Sequence, residues 1–321
     1  MTDTQSELVL VTGATGRHGG TSGYVVTDLL QAGKQVRVLA RTESERTREL
    51  ADAGAEVVFG DYNDRQSLIA ALEGVNTATF TYPVAGGIVP AAANFASAAR
   101  EGGRTLRLVV MSMAVSHPNS PSPLGRAQWL AEEILSWAGL DLCILRIGAV
   151  FFENLTAAHA AQIRETSTFA NSFGIADVPW ISGLDAARLV TAAVLRPELF
   201  PWGPVHYPPG AEATCHHEVA DALAAMLDRP IWFNSISREE WQRDLLKLSE
   251  RHDETVVNPD MAKHIPAVGA ALQSAKAPIV PVDPKELERL TGKTPLSLVD
   301  FLLHNRDLFT AQESDDAARV A

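Results

Sequence analysis

Over the first 146 residues, short aliphatic and β-branched runs alternate with longer stretches whose apolar residues recur at i, i+3 and i+4. The runs at 8–12, 35–40, 56–60, 76–81, 106–111 and 141–146 read as strands, and the stretches at 23–32, 44–53, 66–72, 87–101 and 125–137 as helices. Strands that alternate with helices predict an α/β fold, a doubly wound parallel Rossmann sheet with its ligand at the carboxyl ends of the strands. Beyond residue 146 the rhythm breaks. Pro179, Pro201, Pro204, Pro208 and Pro209 separate helices expected at 184–195, 216–227, 238–248 and 296–304. This division predicts a nucleotide-binding domain over 1–150 and a smaller, mostly helical C-terminal substrate lobe over 151–311, some segments of which return to the sheet. A frayed, charged, Ala-rich tail is expected over 312–321.

Bulk properties narrow the function classes. With 46% hydrophobic and 21% charged residues, the chain has the composition of an ordinary globular enzyme. A net charge of −12 repels a phosphodiester backbone and no Lys/Arg run offsets it, so nucleic acid is not an expected partner. The opening residues lack a cationic, then apolar, leader pattern and no apolar run reaches spanning length, which predicts a cytoplasmic protein without a membrane partner. Cys143 and Cys215 form no Cys-x-x-Cys, so neither a disulfide nor a zinc site is expected. A small-molecule substrate is the expected partner; a homodimer is left open.

The first strand runs directly into Gly13-Ala14-Thr15-Gly16-Arg17-His18-Gly19-Gly20 and then into a helix. Strand, glycine-rich turn and helix N-terminus in that order suit a pyrophosphate, because glycine lets the backbone approach the anion and free N–H groups face it. The second strand ends Leu39-Ala40-Arg41 with no carboxylate at its tip. An acid there would repel a 2′-phosphate, whereas a guanidinium forks onto its oxygens, so the expected cofactor is NADP(H). Arg17 supplies a second positive contact. The other reading of Arg41 is a solvated cation opening a helix that also holds Glu43 and Glu45.

With these residues the chain resembles the NmrA-like branch of the atypical short-chain dehydrogenase/reductases. Val11-Thr12-Gly13-Ala14-Thr15-Gly16 resembles the family's opening, Gly60-Asp61-Tyr62-Asn63-Asp64 its adenine-contacting turn, and Ile144-Leu145-Arg146 with Phe151-Phe152-Glu153-Asn154-Leu155 its crossing into the substrate lobe. Ile181-Ser182-Gly183-Leu184-Asp185, Arg229-Pro230-Ile231 and Thr291-Gly292-Lys293-Thr294-Pro295 follow in family order. The resemblance implies NADP(H) preference and members that are either reductases or redox sensors without catalysis. It implies cofactor contacts at Gly13, Thr15, Gly16, Arg17, Gly19, Arg41, Asp61, Tyr62, Thr81, Tyr82, Met111 and Ser112. Asp61 can also be read as a helix N-cap, a role open to Asn63 and Asp64 as well. The chain departs from the family in holding about three extra residues around Thr21-Ser22-Gly23, which leaves open whether Gly20 or Gly23 packs the helix on the strand. It also places Gln128 where many relatives carry lysine, and it has no Tyr-x-x-x-Lys.

Without that tyrosine and lysine, the candidates for catalysis are His117, Ser112 and Gln128, in and after the loop that follows the fifth strand. A conjugated acceptor relaxes the need for a proton donor, because the charge arriving with hydride delocalises. The expected activity is therefore an NADPH-dependent oxidoreductase acting on a largely apolar quinone- or enone-like molecule. Phe151, Phe152, Phe169, Phe173 and Trp180 are expected to wall the pocket, with Asn154 or His159 as polar anchor, or else to pack the lobe. A non-catalytic NADP(H) redox sensor that binds a partner protein, and a redox-neutral isomerase or cyclase, are the alternatives. His216-His217-Glu218 has the look of a metal site, but it opens a helix whose dipole favours the acid, and no metal is expected.

Overall fold

Val9 and Val11 point to one face of the first strand and Leu10 to the other, and all three are wholly buried. Apolar residues on both faces fit a parallel sheet covered on both sides. The computed structural model describes residues 7–16, 20–101, 103, 105–251, 257–276 and 281–310. Its central sheet is built from β1 (Leu8–Thr12), β2 (Gln35–Ala40), β3 (Glu56–Phe59), β4 (Thr77–Phe80), β5 (Arg107–Met113), β6 (Asp141–Ile147) and a late strand, β10 (Val205–His206). The seven strands are parallel in the order β10-β6-β5-β4-β1-β2-β3. The order reverses between β1 and β4, which opens the crevice where such sheets bind ligands.

Five helices connect the strands: α1 (Thr21–Gln31), α2 (Glu45–Asp52), α3 (Arg65–Ala71), α4 (Ile88–Glu101) and α5 (Pro123–Trp137). Val25, Val26 and Leu29 of α1 pack on one face of the sheet beside Ala186, Leu189 and Val190 of α7 (Gly183–Leu195). Leu68 of α3, Phe95 of α4 and Leu135 of α5 cover the other face against Leu10, Phe80 and Leu108. Thus α7 and β10, which follow the first 150 residues in sequence, complete the sheet domain.

The C-terminal lobe is more mixed than its proline-broken sequence predicts. Between and after helices α6 (Glu153–Thr166), α8 (His216–Leu227), α9 (Arg238–Ser249), α10 (Pro259–Gln273), α11 (Pro284–Thr291), α12 (Leu298–His304) and α13 (Arg306–Phe309) lie two small sheets. One joins β7 (Val150–Phe151), β9 (Val178–Ile181) and β11 (Glu212–Thr214); the other pairs β8 (Thr168–Asn171) with β12 (Trp232–Ser235). The lobe is tied to the sheet domain through α10. His264 Nδ1 lies 2.6 Å from Ser122 Oγ, which caps α5. The Gly86 amide donates to Asp260 (2.7 Å) and Asn258 Nδ2 to the Val84 carbonyl (3.1 Å), so α10 closes over the loops that follow β4 and β5.

Candidate functional site

The turn after β1 has room for glycine only. Gly13 has φ +74°, and a Cβ there would stand 2.8 Å from the Thr81 carbonyl oxygen. The Gly16 amide donates back to the Gly13 carbonyl at 3.0 Å, leaving Thr15 at the tip. Arg17, His18 and Gly19, two of them expected cofactor contacts, lie outside the described residues. Gly20 (φ +59°) precedes α1 without a side-chain cap. The Gly23 and Tyr24 amides turn back to the Gly20 carbonyl (2.9 and 3.3 Å), no side chain caps the helix, and Thr21 adds a buried hydroxyl without a partner among the described residues. Thr21-Ser22-Gly23 proves to be the first turn of the helix itself. A Cβ on Gly23 would meet Ala14 O at an ordinary 3.4 Å, so positive φ at Gly20, rather than close packing at Gly23, is the stricter demand. A glycine-only turn, an uncapped helix and an orphaned hydroxyl fit a pyrophosphate.

Past the tip of β2, Arg41 is exposed. A second arginine, which the sequence reading overlooked, joins this end: Arg46 of α2 donates to the carbonyls of Thr15 and Gly16, each at 3.1 Å. Its guanidinium borders a cavity of about 330 Å³ shared with Gly16, Gly20 and Tyr24. Asp61 does not cap a helix. Its carboxylate accepts the Asn63 amide (2.7 Å), and Asp64 caps α3.

Thr12 Oγ1 donates to the Thr79 carbonyl (2.8 Å) and accepts the Thr81 amide (3.1 Å), locking β1 to β4 at the crevice. Tyr62 packs on Phe80, Tyr82 and Phe95 with ring centroids 5.2, 5.5 and 6.4 Å away, and its hydroxyl donates to the Thr81 carbonyl. Burial drives its phenol far above the ordinary range. Tyr82 donates to the Gly86 carbonyl (3.1 Å) and is likewise pushed up, by burial and then by the Asp61 charge.

At the ends of β5 and β6 lies a buried polar network. Ser112, next in chain to half-buried Met111, donates to the Glu132 carboxylate, and Glu132, 2% exposed, also receives Arg146 Nε at 3.0 Å. Arg146 Nη1 donates to the Tyr207 hydroxyl (2.7 Å). Burial opposes the charge on Arg146, but its bonds to Glu132 and Tyr207 outweigh it and hold the guanidinium protonated. One turn before Glu132 on α5, Gln128 is 5% exposed and its Nε2 has no hydrogen-bond partner among the described residues. His117, by contrast, is exposed, and its Nδ1 accepts the Asn119 amide (3.0 Å) to close a surface turn.

Most of the expected pocket aromatics fill the core of the lobe. Phe152 and Trp180, 0% and 1% exposed, stack with centroids 5.7 Å apart, Phe301 stacks on Phe152 at 5.3 Å, and the Trp180 indole donates to the Thr214 carbonyl. Phe169 and Phe173 pack with His159, His216 and Trp241. Burial holds His159 neutral down to about 4, so it is no ready polar anchor. Phe151 and Asn154 stay half-buried where the chain crosses between domains. Glu218 accepts the Cys215 amide (2.9 Å) and caps α8. The larger cavity, about 480 Å³, lies at the amino ends of β5 and β6 around Arg107, Asp141 and Trp202, away from the crevice.

Residues 5–265 match the NmrA-like family. The chain belongs to the NmrA-like family. An NAD(P)H azoreductase of Xenophilus azovorans is 31% identical to this NmrA-like protein over 241 residues, 73% of the chain and 78% of the relative. The (4-alkanoyl-5-oxo-2,5-dihydrofuran-3-yl)methyl phosphate reductase of Streptomyces griseus is 28% identical over 313 residues, 95% of the chain and all of the relative. Among solved structures, an NADPH-dependent quinone oxidoreductase of Escherichia coli in complex with NADPH superposes with a TM-score of 0.76 at 20% identity, covering 93% of the chain and 99% of that protein.

Besides Arg46, two features of the NmrA-like protein's site escaped the sequence. Tyr207 comes from the proline-rich turn after β10, and nothing in its local pattern points to Arg146, which lies 61 residues earlier. Glu153 opens α6, and both its carboxylate oxygens accept the Gly183 amide (2.9 and 3.1 Å). Burial, chiefly, raises its carboxyl to about 7.

Proposed function

We propose that this NmrA-like protein is an NADP(H)-dependent oxidoreductase that reduces a conjugated, largely apolar small molecule of quinone or enone type. The observation that carries this reading is the uncapped α1 N-terminus behind Gly13, flanked by Arg41 and Arg46 with no carboxylate at the tip of β2. Gly13, Gly16 and the α1 amides would hold the pyrophosphate. Arg41 would take the 2′-phosphate, with Arg46 bracing the loop beside it. Thr81, Tyr82, Met111 and Ser112 would floor the nicotinamide end. When bound, the reduced cofactor supplies a hydride equivalent. Relatives named as an azoreductase and as a reductase of a 5-oxo-2,5-dihydrofuran support a conjugated acceptor.

The side chains at the strand ends bind and orient more than they donate protons. Ser112 is engaged by Glu132, and both nearby phenols are raised by burial. A carbonyl whose reduced form is a delocalised anion takes its proton from water, which suits such a site. Among the described residues no helix is long and apolar enough to cross a membrane. Incubation with NADPH and a panel of quinones and enones, followed by loss of reduced-nicotinamide absorbance, tests the proposal. Turnover of at least one acceptor is expected; NADPH binding with no turnover across the panel would overturn it in favour of a sensor.

A further inference from the structure

We propose that the side-chain amide of Gln128 is the hydrogen-bond donor to the acceptor's carbonyl oxygen. This rests on the oxidoreductase reading above. Glu132 fixes the level of α5 against the sheet, because it meets Ser112 and Arg146, each one residue from the end of its strand. The helix runs back from the strand ends, so the preceding turn, about 5.4 Å farther along the axis, places Gln128 just past the carboxyl ends of β5 and β6. There it is enclosed by the lobe, since α10 is fastened to the start of α5 through His264 and Ser122. Enclosure at the junction of the two domains is where a second substrate must sit beside the cofactor.

A buried amide N–H that lacks a partner is unfavourable to the fold and calls for a ligand acceptor. Nine buried side-chain polar atoms lack partners among the described residues, and only Gln128 offers a donor on the α5 face that Glu132 turns to the strand ends. Neighbouring Ser120, also unpartnered, is packed on Gly125, where a Cβ would collide with its Oγ. Arg146 is already matched by Glu132, and the unpartnered donors described on α5 and in the loop before it, Gln128 Nε2 and the hydroxyls of Ser116 and Ser120, are all neutral; of these only Gln128 lies on the helix itself, one turn from Glu132. In the reaction the enone's β-carbon gains a bond to the hydride, leaving the nicotinamide oxidised. The C=C π pair shifts and the carbonyl π pair comes to rest on oxygen as an enolate, to which Gln128 Nε2–H donates. Water then protonates the α-carbon as the carbonyl re-forms. For a quinone, the hydroquinone monoanion is held in the same way.

Gln128→Ala and Gln128→Glu test the assignment. Loss of one such donor is expected to lower kcat about 100-fold in the Ala variant, with NADPH affinity by fluorescence titration unchanged. The Glu variant donates only when protonated, so its kcat should climb as pH falls, a profile that wild type lacks. Independently of turnover, the carbonyl stretch of an enone bound to the NADP⁺ complex should lie lower in wild type than in Gln128→Ala. Equal stretches in the two proteins, or wild-type kcat in both variants while wild type turns over, would overturn the assignment without touching the oxidoreductase reading. Weakened NADPH binding with kcat intact would move Gln128 to the cofactor and also overturn it. Wild type that turns over no acceptor, yet shows the shifted stretch, would refute the oxidoreductase reading alone.

Discussion

Replacing Glu153 by glutamine isolates one carboxyl whose burial shapes the pH dependence of folding. The residue opens α6 at the domain crossing, where the Gly183 amide favours its ionised form, yet burial outweighs those bonds and raises the carboxyl from 4.5 to about 7. The folded protein thus holds this proton more tightly than the unfolded chain. Its contribution is full below pH 4.5, about 3 kcal/mol, and is lost as pH rises through about 7. Three histidines, two buried and one half-buried, act in the opposite sense. His159, His216 and His264 are held to about 4, 3 and 4 against an ordinary 6.5, so their neutral forms favour the fold above pH 6.5 and that advantage is lost as pH falls. Between 4.5 and 6.5 the slopes oppose each other, and in the wild-type profile the three histidines outweigh the single carboxyl and mask it. Urea unfolding of wild type and Glu153→Gln, followed by tryptophan fluorescence, separates them, because the histidines cancel in the difference. From about pH 5 to about pH 8 the stability of wild type relative to the variant should fall by about 2.5 kcal/mol. Parallel profiles across that range would refute the assignment of a raised carboxyl to Glu153.

Two other substitutions probe the site. Arg41→Asp should weaken NADP(H) binding far more than NAD(H) binding in fluorescence titrations, and equal losses would remove Arg41 from the 2′-phosphate. Glu132→Ala leaves Arg146 buried without its acid and should lower stability by about 3–5 kcal/mol in urea unfolding. Adding Arg146→Met should restore much of that loss, because the uncompensated charge is gone.

Local chemistry made the first half of the chain legible. Each strand from β1 to β6 is an apolar run bounded by turn residues, and the helices between them end within two residues of their expected limits. Gly13 and Arg41 could be placed in the fold because they lie next to strands whose positions the pattern fixes. The lobe was harder. The helix α10 carries Pro266 in its interior, which has no N–H to give the Ala262 carbonyl one turn back, so it reads as broken in sequence though it continues in space, with Ser172 Oγ donating to the Pro266 carbonyl (3.1 Å). The strand β7 has two residues and β8 four, too few to show a period. The aromatic residues carried no sign of direction. Phe152 and Trp180 suit a pocket wall as well as a core by composition, and their mutual stacking puts them in the core. Arg46 was obscured by the neighbouring Glu43 and Glu45, which make its helix look merely solvated.

The long-range contacts, which the sequence could not show, decide what kind of acid the site contains. Arg146 and Glu132 are 14 residues apart in sequence and would read as an isolated cation and an isolated acid. Together they cancel, and Glu132 also accepts a hydrogen bond from Ser112, so Arg146 is not a free cation able to depress a neighbouring phenol and Ser112 is not a free serine. Tyr62 and Tyr82 are moved away from neutrality by burial, and their hydroxyls donate to the Thr81 and Gly86 carbonyls. The groups a carbonyl reductase would use to protonate an isolated alkoxide are thus engaged in holding the strand ends in place. An acceptor with a weakly basic, delocalised reduced form avoids that requirement. On this ground the acceptor proposed for the site is a conjugated one rather than a simple ketone.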